Sequence, residues 1–252
     1  MSWSSRRKLK YQIIMVSIIV VATAVFLFSV FYSFPTCFDN IQNQDEEGID
    51  CGGSCELICS FNIAEPIILW SRPIKTFDGV YSVIAMVENL NTSIEAQSVP
   101  YNFKLFDKDG ILINEKKGDA FIPANSIFPI FEGSISTGNR IPTRSNFEFT
   151  KKPQWEENGS STELISIKDI EFIEKNELPR VSAVIKNNSV KDISDIELIV
   201  LLFDNDNNLI SSSKTILDTI RKNSSEPIIF TWPKLFDKEV SKIDIVPISK
   251  ID

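Results

Sequence analysis

No histidine occurs among the 252 residues. Imidazole is the commonest general base and the commonest nitrogen ligand for metals. Its absence removes every Ser–His and Cys–His nucleophile and most transition-metal sites. There is also no phosphate-binding P-loop, no G-x-S-x-G elbow, no dinucleotide-binding glycine fingerprint and no H-E-x-x-H helix. Cations are scarce over most of the length. Arg6, Arg7, Lys8 and Lys10 come first, and 22 basic against 34 acidic side chains remain beyond them, a net charge of −12. Such a body repels phosphate backbones and anionic lipid heads, so nucleic acid is not an expected partner. Carboxylate pairs alone could still serve acid–base chemistry. Asp107/Asp109 and Asp204/Asp206 have that look, but each pair sits in a turn signal where Asp serves backbone geometry. The expectation is a protein that is not an enzyme.

Charge is wholly missing from Tyr11 to Phe34, and nearly every residue there is apolar, aromatic or a small Ser/Thr. A helix rising about 1.5 Å per residue needs roughly 20 such residues to cross a bilayer. The cations just before the run place residues 1–10 in the cytoplasm as a short stub and the body outside it. The run exceeds the core of a cleaved signal peptide, and bulky Phe31-Tyr32-Ser33-Phe34-Pro35 offers no small-x-small cleavage site. Residues 11–34 therefore read as an uncleaved transmembrane signal-anchor held in membrane lipid.

Only four cysteines occur, all in residues 35–60: Cys37, Cys51, Cys55 and Cys59. An even number clustered in an exported segment reads as two disulfides, with three pairings open. Zinc is the competing use of Cys51, Cys55 and Cys59, and export argues against it. The segment is too short and polar for a core of its own, so it reads as a cross-linked stalk. Asp39, Asn43, Asp45, Glu46 and Asp50 place hard oxygen donors in the loop, which suits a structural Ca²⁺ ion. The competing reading is a solvated acidic turn whose side chains bond their own backbone. The run Cys37-Phe38-Asp39-Asn40 through Asp50-Cys51-Gly52-Gly53-Ser54-Cys55 resembles the C-x-D-G-x-x-N-x-x-E-x-G-x-D-C-G-G-x-C motif of bacterial surface proteins. Asn40 stands where the motif has glycine, and Asn is the next best residue for a left-handed turn.

The body is strand-rich and repeats itself. Val83–Asn89 aligns with Val181–Asn187, Phe103–Gly110 with Val200–Asn207, and Asn125–Ile130 with Asn223–Ile228, all at offsets of 97–98. Residues 61–150 and 163–252 are thus expected to be two copies of one β-sandwich, joined by a polar linker at 151–162. In the second copy the strand candidates are Ile165–Ile173, Arg180–Asn187, Ser194–Phe203, Leu209–Ser213, Lys214–Ile220, Pro227–Trp232 and Ile243–Ile248. Seven short strands give the rhythm of an immunoglobulin-like sandwich, and the fold class is an all-β body behind one helix. Ile196–Phe203 is apolar on both faces, which predicts a central strand covered on both sides. Trp155 is expected to pack at the junction. Four Asn-x-Ser/Thr triplets, at Asn91, Asn158, Asn187 and Asn223, read as ordinary loops.

The block Phe103-Lys104-Leu105-Phe106-Asp107 resembles the F-x-L-Y-D signature of bacterial FxLYD-type domains. These are immunoglobulin-like sandwiches often found outside a membrane anchor. Phe106 takes the place of the tyrosine, and Val200 that of the first Phe in the second copy. The resemblance implies no active site. The expected function is a non-catalytic binding or structural module of the cell envelope, with a protein or cell-wall partner. The alternative is an accessory subunit of a secretion or pilus-like assembly, with an exported carboxylate hydrolase behind both.

Overall fold

A computed structural model describes residues 3–31, 36–55, 58–59, 63–157, 164–174 and 178–249. Parts of every expected feature lie outside the described residues, among them residues 61–62 of the first sandwich and 163, 175–177 and 250–252 of the second. The rest are stub residues 1–2, anchor residues 32–34, stalk residues 35, 56, 57 and 60, and linker residues 158–162 with the Asn158 triplet. The chain forms two compact units, Met1–Asn62 and Ile63–Asp252.

In the first unit, helix α1 spans Trp3–Phe31. Its stretch Lys10–Phe28 is long and apolar enough to cross a membrane, by length and composition. Ile13, Met15, Val20, Phe26 and Phe28 are all more than half exposed, and no residue of Lys10–Phe28 is buried. The aliphatic hydroxyls within the stretch are satisfied locally: Ser17 donates to the Ile14 carbonyl and Thr23 to the Ile19 carbonyl. Beyond Gln12 the stretch presents almost only hydrocarbon and its Ser and Thr bond their own helix, which suits lipid as solvent.

The second unit is entirely β. Its first half pairs β1 (Ile67–Phe77), β2 (Val80–Asn89) and β5 (Ser126–Ser136) into one antiparallel sheet, in the order β1-β2-β5. The facing sheet is β4 (Leu112–Ile122), β3 (Ile94–Phe106) and β6 (Arg144–Phe149), in the order β4-β3-β6. Val83, Ala85 and Val87 of β2 meet Tyr101, Phe103 and Leu105 of β3 between the sheets. Period-two alternation puts these residues on one side of each strand. A two-residue strand β7 (Glu156–Glu157) pairs with Ile94 and Glu95 at the start of β3. Trp155, half-buried, packs on the same core, and the Thr150 amide donates to the Pro100 carbonyl. The described part of the expected linker is thus tied to the first copy.

The second half repeats the plan. The strands β8 (Ile165–Ile173), β9 (Arg180–Asn187) and β12 (Ser225–Thr231) form one sheet. The strands β11 (Leu209–Ile220), β10 (Ile193–Phe203) and β13 (Lys242–Ile248) form the other, with β10 central. Each copy is an immunoglobulin-like sandwich, of three strands on four in the first copy (counting β7) and three on three in the second. The seven strand candidates of the second copy resolve into six, because Leu209–Ser213 and Lys214–Ile220 are one strand. Ser211-Ser212-Ser213-Lys214 looks like a polar break, but it holds no Gly, Pro or Asn to turn the chain. Its backbone stays paired to Ile199–Leu202 without interruption.

Strand β10 is covered on both faces, as its apolarity requires. Leu198, Val200 and Leu202 point into the second core. Ile199, Leu201 and the neighbouring Ile248 join the core cluster of the first copy. The equivalent outward positions of β3, 97 residues earlier, are Asn102 and Lys104. They make polar contacts instead: Lys104 pairs with Glu148 at 2.6 Å and Asn102 donates to Glu115. On this strand one copy therefore offers an apolar outer face and the other a polar, charged one.

Candidate functional site

The cystine loop carries most of the chemically pointed residues. Its bridges are Cys37–Cys55 and Cys51–Cys59, one of the three pairings that the count allowed. Asp50 accepts the backbone N–H groups of Asp39 and Asn40 at 2.9 Å each. Asp39 accepts those of Thr36 and Ile41 and the Asn43 side-chain amide. The Thr36 N–H contributes most to holding the Asp39 carboxyl below the usual carboxylate range, with Asn43 and Ile41 adding to it. Asp45 accepts from the Ser54 hydroxyl at 2.8 Å, and Glu46 from the Asn43 N–H at 3.0 Å.

The carboxylates read as calcium ligands thus each have a local backbone or side-chain partner, whereas the buried Asn43 Oδ1 has none. Among the described residues, no three of the carboxylates Asp39, Asp45, Glu46 and Asp50 bring their oxygens within 4.8 Å of one another. The one such group of Cys, Asp and Glu atoms is Cys37, Glu46 and Cys55, whose sulfurs are already joined to each other. The geometry favours the turn-building role of these side chains.

The loop turns through left-handed backbone at Asn40 (φ 60°), Gln44 (φ 53°), Asp50 (φ 54°), Gly52 (φ 76°) and Gly53 (φ 60°). Asn40 thus adopts the left-handed conformation that asparagine tolerates best after glycine. Gly53 is the most constrained: a Cβ there would lie 2.2 Å from the Asp45 carbonyl oxygen. Gly53→Ala is expected to cost about 2 kcal/mol or more, from left-handed strain and that clash together. Disulfide mapping after oxidative refolding checks it. The variant should yield a mixture of the three pairings where the wild type yields one.

The second unit has a cleft of about 240 Å³ at the seam between its two sandwiches. Lys75 and Thr76 of β1 face Leu209 to Ser211 of β11 and the 232–238 loop across it. Trp232 is buried there, edge-on to Phe236 at 5.4 Å, and Phe236 stacks on Phe172 at 6.3 Å. Two of the rim cations are paired: Lys75 with Asp78 at 2.7 Å and Lys238 with Asp204 at 2.6 Å, and Lys234 and Asp237 complete the charged lining. An aromatic floor under a charged rim can seat a side chain or a loop.

The aspartates that resembled catalytic pairs are turn-formers. Asp107 Oδ1 accepts the N–H groups of Asp109 and Ile111, and Oδ2 accepts from Arg140 at 2.9 Å. Asp204 Oδ1 accepts those of Asp206 and Asn208, and Oδ2 accepts from Lys238. The cations Arg140 and Lys238 are themselves 98 residues apart. The sequence reading missed this pair, although a cation recurring at the repeat offset was the signal that could have found it. Lys238, then the Asn208 N–H, pull the Asp204 carboxyl from 3.8 down to about 2. A depressed carboxyl stabilises the fold fully above its unfolded value and loses that stabilisation as pH falls through the folded one. Melting temperature should therefore drop between roughly pH 4 and pH 2. Asp204→Asn should already be lower at neutral pH and flatter across that window. Thermal melts in a pH series check it.

No known protein-family model matches this chain, and no curated protein matches it.

Proposed function

We propose that the chain is a single-pass membrane protein whose signal-anchor helix holds a non-catalytic binding or structural module outside the cytoplasmic membrane, in the cell envelope. The observation that carries this reading is an order along the chain. Four cations precede an apolar helix exposed along its length, and two disulfides follow at once. Cations keep their end cytoplasmic, and disulfides persist in oxidising compartments, so two independent arguments give the body one side of the membrane.

The sandwich surfaces suit recognition through loops and faces more than through strand addition. Edge strand β12 carries Glu226 and Pro227, edge strand β4 carries Lys116 and Lys117, and β8 is bulged between Lys168 and Glu171. Charge, proline and bulges on edges all discourage pairing with another strand. The partner is then a protein or a wall polymer that meets loops or the seam cleft.

Protease treatment of intact cells tests the topology. The body should be digested from outside without permeabilisation, while the helix stays with the membrane after alkaline washing. A body protected until the membrane is opened sinks the proposal. Replacing α1 by an unrelated apolar anchor separates the second reading. A surface binder keeps its cross-linked partners, whereas an assembly subunit that docks through its helix loses them.

A further inference from the structure

We infer that Glu46 is an electrostatic guard on the Cys37–Cys55 disulfide, placed to keep that bridge oxidised in the presence of anionic thiols. The two bridges differ in access. Cys51 and Cys59 are 8% and 1% exposed, so their bridge is shielded by packing, whereas Cys37 and Cys55 are only half-buried. The carboxylate lies at the accessible bridge. Glu46 Oε1 is 3.3 Å from Cys55 Sγ, and the carboxylate oxygen and both sulfurs lie within 4.8 Å of one another. A disulfide sulfur has no proton to share, so this contact is not a hydrogen bond and places negative charge against the S–S group. Glu46 is held there: it is 9% exposed, its Oε2 accepts the Asn43 N–H, its own N–H donates to the Asn43 carbonyl, and its carbonyl accepts from Gln42.

Reduction of the bridge by a small thiol proceeds in two exchanges. A thiolate attacks Cys37 Sγ, a new S–S bond forms there, the Cys37–Cys55 bond breaks, and the electron pair leaves on Cys55 Sγ as a thiolate. A second thiolate then attacks the outer sulfur of the mixed disulfide and releases the Cys37 thiolate. Two thiols are oxidised to one small disulfide, and their two protons end on the two cysteines. Glu46 opposes the first exchange by either route. A leaving thiolate at Cys55 develops its charge beside a fixed anion, and a thiolate attacking Cys55 directly must approach that same anion.

The test uses the full-length protein in detergent at neutral pH, exposed for timed intervals to anionic 2-mercaptoethanesulfonate or cationic cysteamine. Alkylation and peptide mass mapping then count each bridge separately. Glu46→Gln keeps an acceptor for the Asn43 N–H. It should open Cys37–Cys55 about tenfold faster with the anionic thiol, and narrow the difference between the two thiols. Glu47→Gln removes the same unit of charge from the loop and should stay near the wild-type rate. A Glu46→Gln rate equal to wild type overturns the inference, and so does an equal acceleration by Glu47→Gln. The wild-type protein supplies a measurement that needs no variant. With each thiol scaled to its rate on bis(2-hydroxyethyl) disulfide, cysteamine should open Cys37–Cys55 faster, and equal scaled rates overturn the inference.

Discussion

Leu201→Asp is expected to lower the melting temperature of the body by roughly 10 °C. Leu201 is 2% exposed on the outward face of β10, where it packs into the first copy's core cluster. Truncating such a leucine costs about 2–5 kcal/mol, and a carboxylate left unpaired there adds its desolvation. The site offers no relief. The cross-strand neighbours of Leu201 are Ser212 on β11 and Asp244 on β13, so the new carboxylate would sit directly opposite an existing one. Lys242, which pairs with Asp244 at 2.6 Å, would have to serve two acids. Lys104→Leu is the matched control, because Lys104 holds the equivalent position in the first copy and its outward face is polar. That variant should melt close to wild type. Calorimetry on both decides the matter. A Leu201→Asp protein melting within about 2 °C of wild type would mean that the seam contributes little to stability.

That contrast between Leu201 and Lys104 also marks what a sequence can and cannot say about this fold. The two copies are legible because their turn residues recur: Gly110 and Asn207 both take positive φ after an aspartate that caps the same backbone loop. The double burial of β10 is legible because Ile196–Phe203 has only one polar residue, Glu197, and a strand with two apolar faces needs two neighbours. What covers the second face is a long-range property, and no local pattern names the first sandwich as that neighbour. The merging of Leu209–Ile220 into one strand follows from pairing to β10, which overrides a polar run that would otherwise read as a turn. In the cystine loop, the αL turn at Asn40 could be read from residue type. The pairing could not, since three connectivities satisfy the same four positions. The contact between Glu46 and Cys55 depends on that pairing, so it was equally out of reach. The helix is the opposite case: twenty-four uncharged residues behind four cations leave little for tertiary structure to decide.

Asn187→Ala is expected to destabilise the body by roughly 3–5 kcal/mol, although it removes only an amide from a residue of middling size. Asn187 ends β9 and is fully buried. Its Nδ2 donates to the Lys191 carbonyl at 2.8 Å and to the Ile220 carbonyl at 3.2 Å, and its Oδ1 accepts the Ser189 N–H at 2.8 Å. One side chain thus ties together the turn that follows it and the end of β11. Asn89 repeats the arrangement at the end of β2, donating to the Ile94 and Pro123 carbonyls and accepting the Asn91 N–H. Alanine strips the Ile220 carbonyl and the Ser189 N–H of their side-chain partner and leaves the Lys191 carbonyl with the Ser189 hydroxyl alone, and each buried group so stranded costs about 1–3 kcal/mol. Asn187→Asp distinguishes hydrogen bonding from lost volume. It keeps the shape and the acceptor, but at neutral pH it turns both donors into an anion facing two carbonyl oxygens. It should therefore melt below Asn187→Ala at neutral pH and recover part of the gap in acid, where a protonated carboxyl regains one donor. If Asn187→Asp instead melts like wild type, the amide is not the clasp that its geometry describes. The same burial bears on the Asn-x-Ser triplet that begins at this residue. An amide nitrogen already spent on two carbonyls and fully buried has no face left for a sugar, so mass spectrometry of the folded protein should find Asn187 unmodified in any host.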